Sequence, residues 1–217
     1  MRFATYNIRH AQGVSGTIFT SRIAAVLAAI GADVVGMNEV WRFGWRPDQA
    51  SQVAHVLGGE HIYGEAHVRF GIGLGNAILT RGTIVDSTTI ALGGKREQRV
   101  CVLITTQVAG VRLRFASTHL ALDKDTRAAQ IRQLAETLPT DLPLVLAGDF
   151  NAKVGELEAL RSILTVVDDP PPTFMAPFPT AAIDHIAFSS HWRLEGLTTV
   201  RSSASDHLPL VAELTLR

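Results

Sequence analysis

The sequence predicts an α/β fold in which two mixed β-sheets pack face to face and helices lie outside them. Apolar runs of strand length alternate with segments whose apolar residues recur at helical spacing. Residues 100–108 and 111–117 read as adjacent strands joined by Ala109-Gly110 in a tight hairpin, so a purely parallel sheet is not expected. Hydrophobic residues make up 47% of the 217 residues, which is enough for a substantial core.

Three helices are predicted between the strands. The first begins at a cap supplied by Ser21 and ends at Gly31. The second turns Val56 toward the core and Gln49 toward water, and the third covers about residues 126–138. Each of these helices leads into a strand or follows one, as expected when helices cover the outside of a pair of sheets.

Composition limits the classes of function. Twenty basic and twenty acidic residues cancel, so no global field recruits polyanions, although a nucleic-acid partner remains possible. Cys101 is the only cysteine, which excludes an intrachain disulfide, and its strand-like surroundings predict a buried structural thiol. Local basic groups are more often solvated than bound to phosphate; they are Arg42 and Arg46, then Lys95, Arg96 and Arg99, then Arg112 and Arg114.

The chain is predicted to form a single domain over residues 1–217, because no linker rich in Pro, Gly or Ser divides it. The proline cluster at 170–172 predicts a rigid loop. No charged-then-apolar leader precedes the first strand and no apolar run is long enough to span a bilayer, so we expect a cytoplasmic protein without a transmembrane segment. No protein partner is predicted.

Polar residues stand where predicted strands end. Gly148-Asp149-Phe150-Asn151 directly follows the apolar run 142–147, which places a carboxylate and a carboxamide at the mouth of a buried strand. Asn7, Glu39 and Asp206 lie beside apolar segments in the same way. Rigid strands that end in acids and amides indicate an active site rather than a packing feature.

The order of these segments resembles the endonuclease/exonuclease/phosphatase family of metal-dependent phosphoesterases, over nearly the whole chain. The matching features are Asn7, Glu39, Thr118-His119-Leu120, Gly148-Asp149-Phe150-Asn151, Ile183-Asp184-His185-Ile186 and Ser205-Asp206-His207, with Gly75-Asn76-Ala77-Ile78-Leu79-Thr80 also matching. The resemblance implies a four-layered α/β sandwich with its active site at one end of the sheets. It also implies hydrolysis of a phosphate ester with Mg²⁺, for which Mn²⁺ is a possible substitute.

The resemblance assigns roles to ten residues. The catalytic residues are His119, Asp149, Asn151, Asp184 and His207; the metal ligands are Asn7, Glu39 and Asp206; the substrate contacts are Asn76 and Arg99. Within this set, either Asp149 or His207 is expected to accept a proton from water. Asp184 is expected to orient His207 by contacting the opposite nitrogen of the His207 ring. Asp206 either binds metal or fixes its loop.

Some residues depart from the family pattern or have two interpretations. Asn38 stands where a glutamine is usual, and Leu74 stands where many relatives have a tyrosine. His10 and His185 are close enough in sequence to the motifs to line the pocket. Three aromatic residues follow Glu39 closely: Trp41, Phe43 and Trp45. If exposed, they form a rim that could stack a base or enter a lipid interface; the alternative is that they pack under the next helix.

The leading hypothesis is therefore a magnesium-dependent phosphodiesterase for small molecules or lipid head groups. A nuclease is the alternative within the same chemistry, and a catalytically silent binding module with the same fold is the alternative of another class. A serine or cysteine hydrolase is disfavoured because no Gly-x-Ser-x-Gly segment occurs and Cys101 lies inside a predicted strand.

Overall fold

The computed structural model describes residues 1–94 and 98–217, so Lys95 and Arg96 of the central basic group lie outside the described residues. The described strands are β1 (Arg2–Asn7), β2 (Val34–Phe43), β3 (Glu60–Arg69), β4 (Ile72–Thr80), β5 (Thr83–Leu92), β6 (Arg99–Val108), β7 (Val111–His119), β8 (Leu144–Asp149), β9 (Thr165–Val166), β10 (Asp184–Phe188), β11 (Trp192–Thr199) and β12 (Leu210–Leu216). The α-helices are α1 (Thr20–Ile30), α2 (Gln49–Leu57) and α3 (Lys124–Thr137). None of these helices combines the length and apolar character needed to cross a membrane.

The strands form two six-stranded sheets. The first has the order β11-β12-β1-β2-β4-β3 and the second has the order β5-β6-β7-β8-β10-β9. Strands β1 and β2 are parallel, as are β7 and β8, while the other pairs are antiparallel. The predicted mixed sheets and the predicted β6–β7 hairpin are confirmed.

Four layers result from how the two sheets pack. Helices α1 and α2 cover the outer face of the first sheet, and α3 covers the outer face of the second. The inner faces meet in an apolar core in which the Phe3 ring stacks on Phe115 and meets Trp192 edge-on, at centroid distances of 6.0 and 5.4 Å. The four-layered sandwich that the family resemblance implied is therefore confirmed.

Strand alternation decides which side chains point between the sheets. Along β1, Phe3 enters the core between the sheets and Ala4 and Tyr6 pack against the helices, so Asn7 faces the second sheet. The same parity applies to β8, where Val145 and Ala147 lie between the sheets and Asp149 faces the first sheet. Two polar strand ends therefore meet at one end of a largely apolar layer.

Three details of the predicted helices are wrong. Helix α1 already begins at Thr20, so Ser21 lies in its first turn and caps nothing. Helix α2 turns Val53 inward, which leaves the side chain of Val56 66% exposed. Gln49 is buried because its amide accepts a hydrogen bond from the backbone N–H of Trp41 and donates one to a backbone carbonyl of the preceding loop.

Gly148 brings β8 into very close contact with β7. A β-carbon at this position would lie 1.9 Å from the carbonyl oxygen of Thr118, and the backbone has a φ of 155°. Any other residue would force the parallel pair β7–β8 apart, directly beside Asp149.

Gly148→Ala is expected to lower the free energy of unfolding by about 3 kcal/mol, because the backbone of Thr118 cannot move without breaking the β7–β8 ladder. Urea unfolding measures this change. Gly155→Ala is the matched control, since a β-carbon there meets nothing within 4 Å and the change should have little effect. Equal losses of stability in the two variants would contradict the close-contact explanation.

Candidate active site

Asn7 joins two carboxylates at the end of the sandwich. Its amide nitrogen Nδ2 donates to Oε1 of Glu39 at 3.0 Å and to Oδ2 of Asp149 at 2.9 Å. Asn7 and Glu39 belong to the first sheet and Asp149 to the second, so the amide links the two sheets. In this arrangement Asn7 presents donors to the carboxylates, and its predicted role as a metal ligand stays a prediction.

Asp149 is the centre of the cluster and is almost fully buried. Its Oδ1 accepts the backbone N–H of Asn151 at 2.9 Å. Its Oδ2, besides accepting from Asn7, lies 3.5 Å from Nε2 of His119 and 3.7 Å from Nε2 of His207. One carboxylate oxygen therefore faces three nitrogen atoms from three different strands or loops.

His119 is held in the neutral state with a defined tautomer. Its Nδ1 lies 3.2 Å from Nη1 of Arg99, and a guanidinium can only donate, so Nδ1 accepts and Nε2 carries the proton. Burial lowers the pKa of His119 to about 4, and the positive charge of Arg99 acts in the same direction. The neutral ring presents its Nε2–H toward Asp149.

His207, unlike His119, is protonated near neutral pH. Its Nδ1 lies 2.7 Å from Oδ2 of Asp184, and that oxygen also accepts a hydrogen bond from the hydroxyl of Thr173. Burial opposes the charge on the ring, but the charge of Asp184 and its hydrogen bond, helped by Asp149 and Asp206, raise the pKa of His207 to about 9. Asp184 contacts the ring nitrogen opposite the one facing Asp149, which is the geometry expected from the sequence.

Glu39 occupies a strained position in β2. Its φ is 54°, and the pairing of β2 with β4 shifts register between Met37 and Val40. The irregularity turns the carboxylate into the site, where burial raises its pKa and the hydrogen bond from Asn7 opposes that shift. Nδ1 of His10 lies 3.9 Å from Oε2 of Glu39, so His10 does line the site.

Asn38, whose role the sequence left open, connects three parts of the cluster. Its Oδ1 accepts the backbone N–H of Asp149 at 3.0 Å, and its Nδ2 donates to Oδ1 of Asn76 and to the carbonyl of Thr118, both at 3.0 Å. Asn76 in turn donates to the carbonyl of Val100 at 2.8 Å. Asn76 is buried behind the site in these contacts, and its predicted contact with substrate remains untested.

Asn151 and Asp206 lie at the edge of the cluster. The backbone of Asn151 has a φ of 49°, and its side-chain amide donates one hydrogen bond to the carbonyl of Leu120 at 3.0 Å. The second N–H of that amide makes no hydrogen bond to residues 1–94 or 98–217. Asp206 lies 3.3 Å from Nε of Arg9 and accepts from the hydroxyl of Ser205, so in this structure it fixes its loop.

Sequence reasoning missed Arg9 and Thr173. Neither residue belongs to a segment that matches the family. Arg9 lies two positions after the matched Asn7, and Thr173 follows the proline cluster. His185, considered as a pocket residue, instead faces the helix layer. Its Nε2 lies 2.8 Å from the carbonyl of Ala152, and its ring meets Phe150 edge-on.

Comparisons with known proteins identify the family of this chain. The profile of the Endonuclease/Exonuclease/phosphatase family matches residues 4–207. The chain belongs to this family. Members of the endonuclease/exonuclease/phosphatase family are hydrolases that act on phosphate esters.

Individual proteins show how far the similarity extends. The uncharacterized protein YbhP of Escherichia coli (strain K12) is 29% identical over 179 residues, which cover 74% of this chain and 68% of that protein. An endonuclease/exonuclease/phosphatase structure from Beutenbergia cavernae DSM 12333 superposes with a TM-score of 0.88 at 24% identity, covering 100% of this chain and 71% of the other. Mannosyl-6-phosphatase Bt3783 of Bacteroides thetaiotaomicron VPI-5482 gives 0.75 at 20% identity, with both chains fully covered. The two structures support the fold alone.

The oxygen-rich side of the cluster fits a hard divalent cation. The Asn7 amide joins Glu39 and Asp149, and the side chain of Glu39 is 28% exposed, so its carboxylate is accessible. A group of Asp149, Asp184 and His207 also has ligand atoms within 4.8 Å of one another. In this group the Oδ2 of Asp184 also lies 2.7 Å from Nδ1 of His207.

Asp184→Asn is expected to lower the pKa of His207 from about 9, because burial still opposes the charged ring while the charge of Asp184 that raises the pKa is removed. The raised pKa stabilises the fold fully below pH 6.5, and this contribution is lost as the pH rises through about 9. The stability difference between the parent chain and the variant should therefore shrink across that window. Urea unfolding in EDTA measures it, and a difference independent of pH would contradict the assignment.

Proposed function

We propose that the chain is a magnesium-dependent phosphodiesterase that acts on a small-molecule or lipid-head-group phosphodiester by metal-assisted attack of water. Mn²⁺ can substitute for Mg²⁺ in this proposal. The observation that carries it is the buried Asp149 carboxylate, which lies between two histidine N–H groups on one side and the Glu39 carboxylate on the other.

Glu39 would hold the cation, with Asn7 and Asp206 close to it. These are the hard oxygen ligands that Mg²⁺ prefers, and a site with few protein ligands leaves places for water and substrate. A bound divalent ion supplies neutralisation of charge on a phosphoryl oxygen and lowers the pKa of a bound water.

The protein's own groups divide the remaining work. Asp149 accepts the proton of the attacking water, because His207 already carries its proton at neutral pH and cannot act as the base. His207 and the Nε2–H of His119 donate hydrogen bonds to the phosphoryl oxygens, where negative charge develops in the transition state. Asn151 adds the free N–H of its amide without the repulsion that a carboxylate would bring.

The charge balance of the site favours a diester over a monoester. Its charged groups are the carboxylates Glu39, Asp149, Asp184 and Asp206 and the cations Arg9, Arg99 and protonated His207. Four negative and three positive groups with one divalent cation leave a single positive charge. A phosphodiester carries one negative charge, whereas a monoester near neutral pH carries almost two.

The two alternatives have weaker support. A nuclease uses the same chemistry, but the chain has no net charge and therefore no overall field to attract a polyanion. A silent binding module would be free to lose the proton acceptor or the histidines, yet Glu39, Asp149, Asn151 and both histidines are present.

We expect magnesium-dependent hydrolysis of bis(p-nitrophenyl) phosphate to exceed that of p-nitrophenyl phosphate, plasmid DNA and abasic DNA, with sphingomyelin as a lipid probe. Asp149→Asn and His207→Ala should each lower kcat by at least about 100-fold, because the first removes the acceptor of the water's proton and the second removes a donor to the phosphoryl oxygens. His191→Ala is the matched control, since His191 contacts Ser189 away from the site and should retain activity.

The panel also separates the alternatives. Preference for DNA would replace the phosphodiesterase with the nuclease. Full activity in both site variants would contradict the assigned residues. Binding of Mn²⁺, measured by calorimetry, without turnover of any substrate would favour the silent module.

A further inference from the structure

Three exposed aromatic side chains form what we call the aromatic tip: Phe43, Trp45 and Phe70. Their side chains are 45%, 92% and 90% exposed. The backbone N–H of Gly44 donates to the carbonyl of Gly71 at 3.0 Å, so the loop after β2 and the β3–β4 hairpin are joined. The possibility that Trp45 packs under helix α2 is therefore wrong.

The aromatic tip rests on ordered structure. Phe43 pairs with Ile72 at the end of the β2–β4 ladder, and the N–H of Arg46 closes a turn onto the carbonyl of Phe43 at 2.9 Å. Large apolar rings held out into water by regular hydrogen bonding are costly unless something covers them.

Arginines surround the aromatic tip. Arg42 pairs with Glu65 at 2.7 Å. Arg46 and Arg69 are exposed and make no ion pair within residues 1–94 and 98–217, and the guanidinium of Arg69 lies 5.1 Å above the Phe70 ring. No acidic residue occurs in 42–46 or 69–71, so the tip presents positive charge to a partner.

A chain of ring contacts connects the aromatic tip to the candidate active site. Beside Glu39, the His10 ring stacks on Trp41 at a centroid distance of 3.9 Å, and Trp41 meets Phe43 edge-on at 5.5 Å. The loop whose Phe174 ring lies 4.8 Å from the His207 ring also carries Phe178, which is 83% exposed. Aromatic side chains thus contact two residues of the site, His10 and His207.

We propose that the aromatic tip docks on the surface of an anionic lipid bilayer and holds the active site against it. Trp and Phe favour the boundary between water and acyl chains, and adjacent Arg groups are attracted to anionic head groups. Residues that stack bases line grooves and are partly shielded by the walls, whereas Trp45 and Phe70 stand free, which favours a membrane over a nucleic acid.

The consequence for substrate rests on the proposed function: the diester would be a lipid presented at the membrane surface. Docking itself does not depend on turnover. The two proposals can therefore fail separately, and vesicle binding tests docking alone.

The test is sedimentation of the full chain with vesicles of phosphatidylcholine, or of phosphatidylcholine and phosphatidylglycerol in equal parts. We expect the parent chain to bind the mixed vesicles, and this binding should weaken as salt is added. The double variant Trp45→Ala with Phe70→Ala should have at least a tenfold lower partition coefficient, on the order of what burial of two rings supplies. Arg46→Glu with Arg69→Glu should lose the preference for phosphatidylglycerol. Val85→Ala and Arg112→Glu are controls, because both residues lie at the end of the second sheet that is far from His119 and the candidate active site.

Tryptophan fluorescence reports the same event by a second route. The chain has three tryptophans, of which Trp192 is buried in the core and Trp45 is exposed. Mixed vesicles should shift the emission to shorter wavelength in the parent chain, while Trp45→Phe should keep the binding and lose most of the shift.

Three results would overturn the proposal. These are equal binding of the parent chain and the double alanine variant, no binding to mixed vesicles at low salt, and tighter binding of single-stranded DNA through the same aromatic residues. Turnover of soluble bis(p-nitrophenyl) phosphate should be unchanged in the double alanine variant, because neither ring contacts the site. If no soluble substrate is hydrolysed but vesicle binding follows the variants as described, the function fails and the docking surface stands.

Discussion

Hydrogen bonds from three asparagines of the first sheet to the second sheet are the interaction on which the site depends. Asn76, Asn38 and Asn7, on the neighbouring strands β4, β2 and β1, donate to Val100, Thr118 and Asp149 on the neighbouring strands β6, β7 and β8. Elsewhere the layer between the sheets is largely apolar, with one further hydrogen bond across it, between the hydroxyls of Thr80 and Thr106 at 3.2 Å. A buried amide left without its partner costs about 1–3 kcal/mol, so the sheets can meet at this end only in the register that pairs all three.

This register explains the electrostatics of the site. It places Asp149 with one oxygen facing two imidazoles, and the partners behind those rings then determine their charge. Arg99 behind His119 keeps that ring neutral, whereas Asp184 behind His207 keeps that ring protonated. Two histidines that the sequence treats alike thus become a neutral donor and a cationic donor, which leaves the carboxylate as the proton acceptor in the proposed reaction.

The sequence could predict the parts that depend on local pattern. The apolar run 142–147 identified Asp149 as a polar residue at a strand end, and the family resemblance implied the Asp184–His207 pair before any coordinates. Helix details were less predictable: Gln49 is buried only because distant backbone groups need its amide. Arg9 and Thr173 were missed since loop conformation, which has no short-range pattern, brings them to the site.

A double-mutant cycle for Asn7→Ala and Asp149→Ala, measured by urea unfolding in EDTA, tests the link between the sheets most directly. The interaction at 2.9 Å is charge-assisted and buried, so we expect a favourable coupling free energy of about 1–3 kcal/mol. A coupling near zero would contradict the account, because the two sheets would then hold their register, and Asp149 its place, without the asparagine.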